Sequence, residues 1–222
     1  MQEAAKNAPY KMIFQSKIYE FMEKSKVKIL TKPDLPKGYV HVYTGEGKGK
    51  STAALGLALR ASGHNFKVCI VQFMKGSDYS GEYNALKHIS NITLHQFGKE
   101  CPYSKMMKKG MIKCNACREC FASDKEEFRM CQDGLEFAKS IIDSDKFDLI
   151  ILDEINVAMH KGLVDKEEVL NLIKNKRSET ELVLTGRHAP YEIMQKADLI
   201  TEMKKIKHYF DNNFQSSRGI EY

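Results

Sequence analysis

Long apolar stretches are missing from this chain of 222 residues. No run of about 18 consecutive apolar residues occurs, which argues against a transmembrane helix. The first residues also lack the basic and then apolar stretch of a secretory signal. Without such a signal, the six cysteines are expected to be thiols or metal ligands rather than structural disulfides. These absences predict a cytoplasmic protein without a membrane partner.

Internal repeats and low-complexity tracts are missing too, and 42% hydrophobic with 29% charged residues fit a globular domain with an appendage. The net charge of +6 is concentrated in residues 1–37 and 99–113, which carry +4 each. Aromatic residues are not interleaved with these lysines, which argues against a nucleic-acid partner. The two segments are interpreted either as solvated surface or as a cationic entrance for a polyanionic substrate.

Apolar β-rich segments alternate with helical patterns along most of the chain. Strands are predicted at residues 39–43, 67–73, 92–97, 147–152, 181–184 and 199–203, and helices at 51–62, from 123, at 165–175 and at 190–196. This alternation predicts an α/β fold with a mainly parallel sheet and helices on both faces. The helix at 51–62 is apolar nearly all round, so we expect it to be buried and to end at Gly63. Ser123 with Glu126, and Asp165 with Glu168, are predicted capping boxes.

The first 37 residues are predicted to form a helical extension followed by a linker. Four apolar residues recur there at helical spacing, namely Tyr10, Phe14, Ile18 and Phe21. Pro33 and Pro36 indicate the linker. The apolar stripe is expected to pack on the main domain or on a partner subunit. Residues 38–222 form the predicted main domain, with a cysteine-rich insert at 99–122.

A glycine- and lysine-rich loop, residues 44–52 with the sequence TGEGKGKST, stands between the first predicted strand and helix. Phosphate oxygens need many short donors, and glycines let successive backbone N–H groups point inward at a helix N-terminus. Lys50 adds a point charge, and the Ser51 hydroxyl can bind Mg²⁺. The loop therefore predicts a P-loop NTPase-like (RecA-like) fold that binds a nucleotide.

The loop is one residue shorter than the usual phosphate-binding pattern. In the pattern G-x-x-x-x-G-K-[ST] the first glycine would stand at position 44, but Thr44 is there and Gly45 follows. Asp153 and Glu154 follow an apolar strand, where a carboxylate can hold Mg²⁺ beside such a loop. The acidic strand end supports the interpretation of the loop as a nucleotide site.

With these motifs in place, the chain resembles the cob(I)yrinic acid a,c-diamide (corrinoid) adenosyltransferases of the vitamin B12 pathway. The resemblance runs from about residue 38 to the end of the sequence. The matching segments are residues 45–52, 58–61 with 63–64, 71–76, 152–156, 184–187, 206–208 with 211, and 218–222. The shortened loop, the Thr-Gly-Arg at 185–187 and the Gly-Ile-Glu at 219–221 occur together in one order.

The resemblance implies that a corrinoid in the Co(I) state attacks C5′ of ATP and that triphosphate leaves as a unit. It also implies Mg²⁺ or Mn²⁺, a homodimer, and a flavodoxin- or flavoprotein-type reductase as a partner. Lys50 and Arg187 are the candidate catalytic residues, and Ser51 with Asp153 or Glu154 the candidate magnesium ligands. The residues implied to bind ATP are Gly45, Glu46, Gly47, Lys48, Gly49, Lys50, Ser51, Thr52, Arg60 and Arg187. Arg60 could instead be an ordinary helix-end charge, and Arg187 a loop cap.

The cysteine-rich insert departs from the better-known relatives. Cys101 precedes a proline, and Cys114, Cys117 and Cys120 follow at even spacing. Four thiolates at these spacings resemble the ligands of a [4Fe–4S] cluster, and a Cys₄ zinc site is the other option. Free thiols in a flexible loop remain the third reading. Cys69 and Cys131 are assigned to packing because they lie in apolar patterns.

Two other functions remain open from the sequence. An ATPase or kinase would transfer the γ-phosphate, but the shortened loop argues against it. A non-enzymatic switch that senses a nucleotide or a metal is suggested by the cysteine insert. The leading prediction is an adenosyltransferase that acts on ATP and a corrinoid.

Overall fold

The computed structural model describes residues 37–114, 117, 119–212 and 217–221. The helical extension and linker predicted for residues 1–37 lie outside this part of the chain, apart from Lys37.

Six strands form one sheet in the described part of the chain. They are β1 (Val40–Thr44), β2 (Val68–Phe73), β3 (Ile92–Phe97), β4 (Leu149–Asp153), β5 (Glu181–Thr185) and β6 (Leu199–Glu202). Their order is β3-β2-β4-β5-β1-β6, and all neighbouring pairs are parallel. Every residue of β2 and β4 is buried, as expected for central strands covered on both faces. The predicted parallel sheet is confirmed.

Seven α-helices connect or follow the strands in the described residues. They are α1 (Lys50–Gly63), α2 (Gly81–Leu86), α3 (Ser104–Lys108), α4 (Asp124–Ile142), α5 (Ile155–His160), α6 (Lys166–Asn175) and α7 (Tyr191–Lys196), with a 3₁₀ turn at Tyr209–Asn212. The sequence did not predict α2, α3 or α5. Five or six residues are too few for a helical hydrophobic period to stand out.

Two apolar cores lie on opposite faces of the sheet, so the predicted helix layers are confirmed. One core contains buried side chains of α4 to α7, such as Leu135, Ala158, Val169 and Ile193. The other contains Ala54, Ala58 and Ala61 of α1, together with Leu86 of α2.

The prediction that α1 is buried all round was wrong. Only one face packs on the sheet, through small alanine side chains, whereas Leu59 is 58% exposed. The predicted end of the helix at Gly63 is confirmed, since Gly63 is the last residue of α1. The chain then turns at Asn65, which has a φ of 63°. Asparagine is one of the few residues other than glycine that adopts this conformation readily.

The predicted cap of α4 is confirmed and that of α6 only in part. At α4, Ser123 and Glu126 form both halves of a capping box. At α6, the side chain of Asp165 accepts a hydrogen bond from the backbone N–H of Glu167. Glu168, the predicted second half of that box, pairs instead with Lys139 of α4.

Two glycines pack backbone against backbone where the loops after β2 and β3 meet. A Cβ atom on Gly76 would lie 2.0 Å from the carbonyl oxygen of Gly98, and a Cβ on Gly98 would lie 2.4 Å from the Lys75 nitrogen. The backbone N–H of Met74 also donates to the carbonyl oxygen of Phe97 over 2.9 Å. This contact fixes the backbone that leaves the carboxyl end of β2.

Two glycine-to-alanine substitutions should therefore have opposite effects on stability. Gly76→Ala forces the two loops apart and should lower the free energy of unfolding by about 2 kcal/mol or more. Gly56→Ala lies in α1 with no atom within 4 Å of the added Cβ. It should raise the free energy of unfolding by about 0.5–1 kcal/mol. Urea unfolding of both variants measures this, and a Gly76→Ala variant as stable as wild type would contradict the close packing.

Candidate active site

The glycine-rich loop turns between β1 and α1 through two left-handed glycines. Gly45 has a φ of 94° and Gly49 a φ of 115°, which side chains rarely tolerate. The loop also lies against the end of β6, where the backbone N–H of Gly47 donates to the carbonyl oxygen of Met203. A Cβ on Gly47 would lie 2.5 Å from that oxygen. The loop is thus held in one shape in front of the N-terminus of α1.

Lys50 begins α1, and its buried side chain folds back into the loop. Its Nζ donates hydrogen bonds of 2.7 Å each to the carbonyl oxygens of Gly45 and Gly47. Burial lowers the pKa of Lys50 from its ordinary value. The ammonium group is therefore held inside the loop at the N-terminus of α1, the end of a helix that favours an anion.

Asp153, the last residue of β4, is a buried carboxylate with several donors. Its Oδ1 accepts from the Thr185 hydroxyl over 2.7 Å. Its Oδ2 accepts from Gln72 Nε2 over 3.0 Å and from Lys75 Nζ over 2.7 Å. Burial would raise the pKa of Asp153, but Lys75 and the hydroxyl donors outweigh it and hold the pKa below its ordinary value. Asp153 is therefore ionised at neutral pH.

Lys75 joins the two predicted metal ligands that the sequence placed far apart. Besides its ion pair with Asp153, its Nζ is 3.2 Å from Ser51 Oγ. Ser51 and Asp153 thus face one cation, as oxygen ligands of Mg²⁺ would. The sequence did not single out Lys75 as a site residue. Its signals were its place in the matching segment 71–76 and its position just after β2, whose carboxyl end meets that of β4.

Glu154, the other predicted metal ligand, has a left-handed backbone with a φ of 65°. Its backbone N–H donates to the Thr185 hydroxyl over 3.0 Å. Burial raises the pKa of the Glu154 carboxyl, and the neighbouring Asp153 adds to the rise. Glu154 lines the cleft described next, where Lys75 acts on its carboxyl electrostatically, without the close ion pair that Lys75 forms with Asp153.

An open cleft of about 660 Å³ lies in front of the loop and α1. Its other walls come from the loops after β2, β4 and β5 and from the end of the chain. The side chains that carry charge there are Lys48, Lys50, Lys75, Glu82, Glu154, Arg187 and Glu221. Arg187 is about half exposed, and its Nη1 is 3.6 Å from Glu46 Oε2. The structure thus brings residues 47–52 of the loop, Arg187 and Glu154 to one cleft, whereas Gly45 and Glu46 of the predicted ATP-binding set do not line it.

Arg60 does not line this cleft. It lies in the last turn of α1, ten residues after Lys50, which corresponds to about 15 Å along the helix. Burial raises the pKa of the Tyr43 hydroxyl of β1, and the charge of Arg60 opposes this rise. The structure favours the reading of Arg60 as a helix-end charge.

The end of the chain reaches back to the loop through Lys48. The Lys48 Nζ donates to Glu221 Oε1 over 2.5 Å, to the carbonyl oxygen of Ile220 over 3.1 Å and to the Tyr209 hydroxyl over 3.0 Å. The sequence matched this final segment to relatives but gave it no role. Because Glu221 pairs with Lys48 and both line the cleft, the final segment forms one wall of the cleft.

The cysteines of the insert are free. Cys101 is half-buried, whereas Cys114, Cys117 and Cys120 are exposed. Within the described ranges, no three histidine, cysteine or acidic side chains are already grouped so that they could hold a metal ion. Cys69 and Cys131 are buried in the core, in agreement with their predicted packing role, and burial raises the pKa of each thiol to about 11.

Comparison with known proteins identifies the family. The family model of the ATP:corrinoid adenosyltransferases BtuR/CobO/CobP matches residues 36–222. The chain belongs to this family. A corrinoid adenosyltransferase from Sinorhizobium sp is 33% identical over 198 residues, which cover 86% of this chain and 83% of the relative. One from Escherichia coli K12 is 31% identical over 186 residues, which cover 84% and 86%.

Family membership confirms the resemblance found in the sequence and the transferase class that it implied. The cysteine-rich insert lies inside the matched region, so it is an elaboration of the family domain rather than a separate unit. Among the helices of the described residues, none has the length and hydropathy needed to cross a membrane.

The depressed pKa of Asp153 predicts a specific pH dependence of stability. The ionised carboxylate stabilises the folded chain above its unfolded pKa of about 3.9, and this contribution is lost as the pH falls through the lower folded pKa. Asp153→Asn should lower the free energy of unfolding by about 2 kcal/mol at pH 7. The difference from wild type should shrink as the pH falls below about 4.

Urea unfolding between pH 8 and pH 3 measures this difference. Asp148→Asn is the matched control, since Asp148 lies just before the other end of β4 and accepts only a backbone N–H, from Lys67. The control should leave the pH dependence of wild type in place. A constant difference between Asp153→Asn and wild type across the whole pH range would refute the assignment.

Proposed function

We propose that the chain transfers the 5′-deoxyadenosyl group of ATP to the Co(I) centre of a corrinoid and releases triphosphate. The observation that carries the proposal is the placement of four basic side chains around one cleft, next to a phosphate loop that is one residue short. Lys48, Lys50, Lys75 and Arg187 all line this cleft. Their combined charge suits a polyanion such as triphosphate.

The reaction needs little acid–base chemistry from the protein. Cobalt supplies the electron pair that forms the Co–C5′ bond, and the C5′–O bond breaks with its electron pair remaining on the triphosphate. Charge therefore develops on the leaving group. Backbone N–H groups of the loop, the N-terminus of α1 and the ammonium of Lys50 are directed at that charge. Arg187 would add a planar donor from the opposite wall.

Magnesium or manganese fits the oxygen atoms of Ser51 and Asp153. Both face the same cation in the structure, the ammonium of Lys75, so their geometry already accommodates a positive charge. A divalent ion, when bound, would neutralise part of the triphosphate charge. Glu154 would act from a greater distance, as a buried carboxyl at the wall of the cleft.

The corrinoid is proposed to contact a second cavity of about 410 Å³ beside the phosphate cleft. Lys75, Glu82, Val157 and Glu221 line both spaces, so the two are contiguous. Phe121, from the cysteine insert, gives this cavity an exposed aromatic surface. Met74, Phe121 and Val157 give this cavity apolar surface beside its charged side chains, and an apolar surface suits a macrocycle. By family resemblance, we also propose a homodimer and a flavodoxin- or flavoprotein-type reductase.

A thiolate-bound metal centre in the insert is part of the same proposal. Lys99 Nζ is 3.4 Å from the carbonyl oxygen of Phe121, so the two ends of the insert lie together. This contact brings the neighbourhood of Cys101 to that of Cys120. Burial raises the pKa of the Cys120 thiol, and the charges of the other three cysteines add to the rise, which indicates that the four lie within electrostatic range. A metal would draw these sulfurs together on binding.

Turnover with ATP and a chemically reduced corrinoid tests the proposed reaction. The expected products are adenosyl-corrinoid and triphosphate, separated by chromatography. Lys50→Ala should lower kcat by about 10²–10³-fold, since it removes a donor aimed at the leaving group. Lys146→Ala, an exposed lysine outside the cleft, is the charge-matched control. Release of ADP would instead support a phosphotransferase, and no turnover would support a switch protein.

Metal analysis tests the proposed thiolate centre independently of turnover. Protein purified without oxygen should contain about one zinc or about four iron ions per chain, and iron should add a visible absorption band. Cys117→Ser should lose most of the metal, whereas Cys69→Ala, which removes a core thiol, should retain it. Less than half an equivalent of either metal in wild type would exclude the centre.

A further inference from the structure

Lys75 stands where a divalent cation would contact the chain. Its Nζ is 2.7 Å from Asp153 Oδ2 and 3.2 Å from Ser51 Oγ. An ammonium and a divalent ion cannot share these two oxygen atoms, because two cations a few ångströms apart repel strongly in a partly buried site. Binding of a metal to Ser51 and Asp153 therefore requires that the Lys75 ammonium moves away.

The backbone around Lys75 cannot make this movement. Met74 has a left-handed φ of 59° and is bonded to β3, and the neighbouring Gly76 is pressed against Gly98. The side chain is freer, since it is 31% exposed, whereas that of Asp153 is 2% exposed. Rotation of its methylene groups would carry the ammonium into the cleft while the backbone stays fixed.

The phosphate cleft offers the space into which the Lys75 ammonium can move. Lys75 lines the phosphate cleft, so its ammonium can reach this space by rotation of the side chain alone. Once the ammonium leaves Asp153, it needs a new anionic partner. A triphosphate in the same cleft, brought in together with the metal, presents several oxygen atoms for such a partner.

We propose that Lys75 is a displaceable counter-ion that holds the metal position of Asp153 and moves to the triphosphate when metal and triphosphate bind together. This inference rests on the proposed function only for the roles of Ser51, Asp153 and the cleft. It has a thermodynamic consequence. Metal and triphosphate bind with positive linkage, and by reciprocity each raises the affinity of the chain for the other.

The experiment measures Mn²⁺ binding by the full chain with electron paramagnetic resonance, with and without inorganic triphosphate. Wild type should bind Mn²⁺ weakly alone and much more tightly with triphosphate. Lys75→Met should bind Mn²⁺ alone about tenfold more tightly, and the gain from triphosphate should fall by about tenfold. Lys75→Arg keeps the charge and should behave like wild type in the absence of triphosphate.

Lys48→Met is the matched control, because it removes one positive charge from the same cleft but from the side of Glu221. It should weaken triphosphate binding and leave the affinity for Mn²⁺ alone unchanged. Lys75→Met with wild-type affinity for Mn²⁺ alone, or with the full gain from triphosphate, would overturn the inference. Thermal unfolding verifies that the variant is folded, and Lys75→Gln replaces it if it is not.

The two proposals fail in different ways. If Lys75 shows the expected effect on Mn²⁺ and triphosphate binding but the chain transfers no adenosyl group, the proposed function is contradicted and the role of Lys75 is supported. If wild type transfers the adenosyl group but Lys75→Met binds Mn²⁺ as wild type does, the proposed function is supported and the role of Lys75 is contradicted.

Discussion

The buried carboxylate of Asp153 is the group on which the geometry of the site depends. A charge at the end of a central strand is costly unless donors surround it. Here the donors come from Thr185 of β5, from Gln72 of β2 and from Lys75 just after β2. Satisfying one charge therefore fixes the relative positions of three strand ends. Through Lys75 and Ser51, it also ties the acidic strand to the start of α1.

The same principle governs the other cations of the cleft, since each contacts an oxygen atom of the chain itself. Lys50 contacts carbonyl oxygens of the loop, Lys48 contacts Glu221, and Arg187 faces Glu46. A bound anion has to replace these partners, which reduces its net affinity. The binding energy of the anion therefore has to cover this exchange of partners before the donors can stabilise charge on a leaving group.

The sequence predicted those features that depend on local patterns. The glycine-rich loop between β1 and α1, the parallel sheet and strand β3 follow from glycine spacing and apolar runs, and the structure contains them. The burial of α1 was mispredicted, because apolar composition does not say which face the sheet covers. The role of Lys75 was out of reach, since it arises from contacts with residues 24 and 78 positions away. Only the three-dimensional meeting of strand ends brings these groups together.

The cysteine insert raises a question of charge that the rest of the site does not. A zinc ion or a [4Fe–4S] cluster with four thiolates has a net charge of about −2, so both centres would repel a triphosphate nearby. Five lysines stand in residues 99–113 against one acid. If the proposed centre binds its metal, these lysines would offset part of that charge. The lysine excess of the insert would then compensate for the thiolates, with Lys108 contributing least because it already pairs with Asp78.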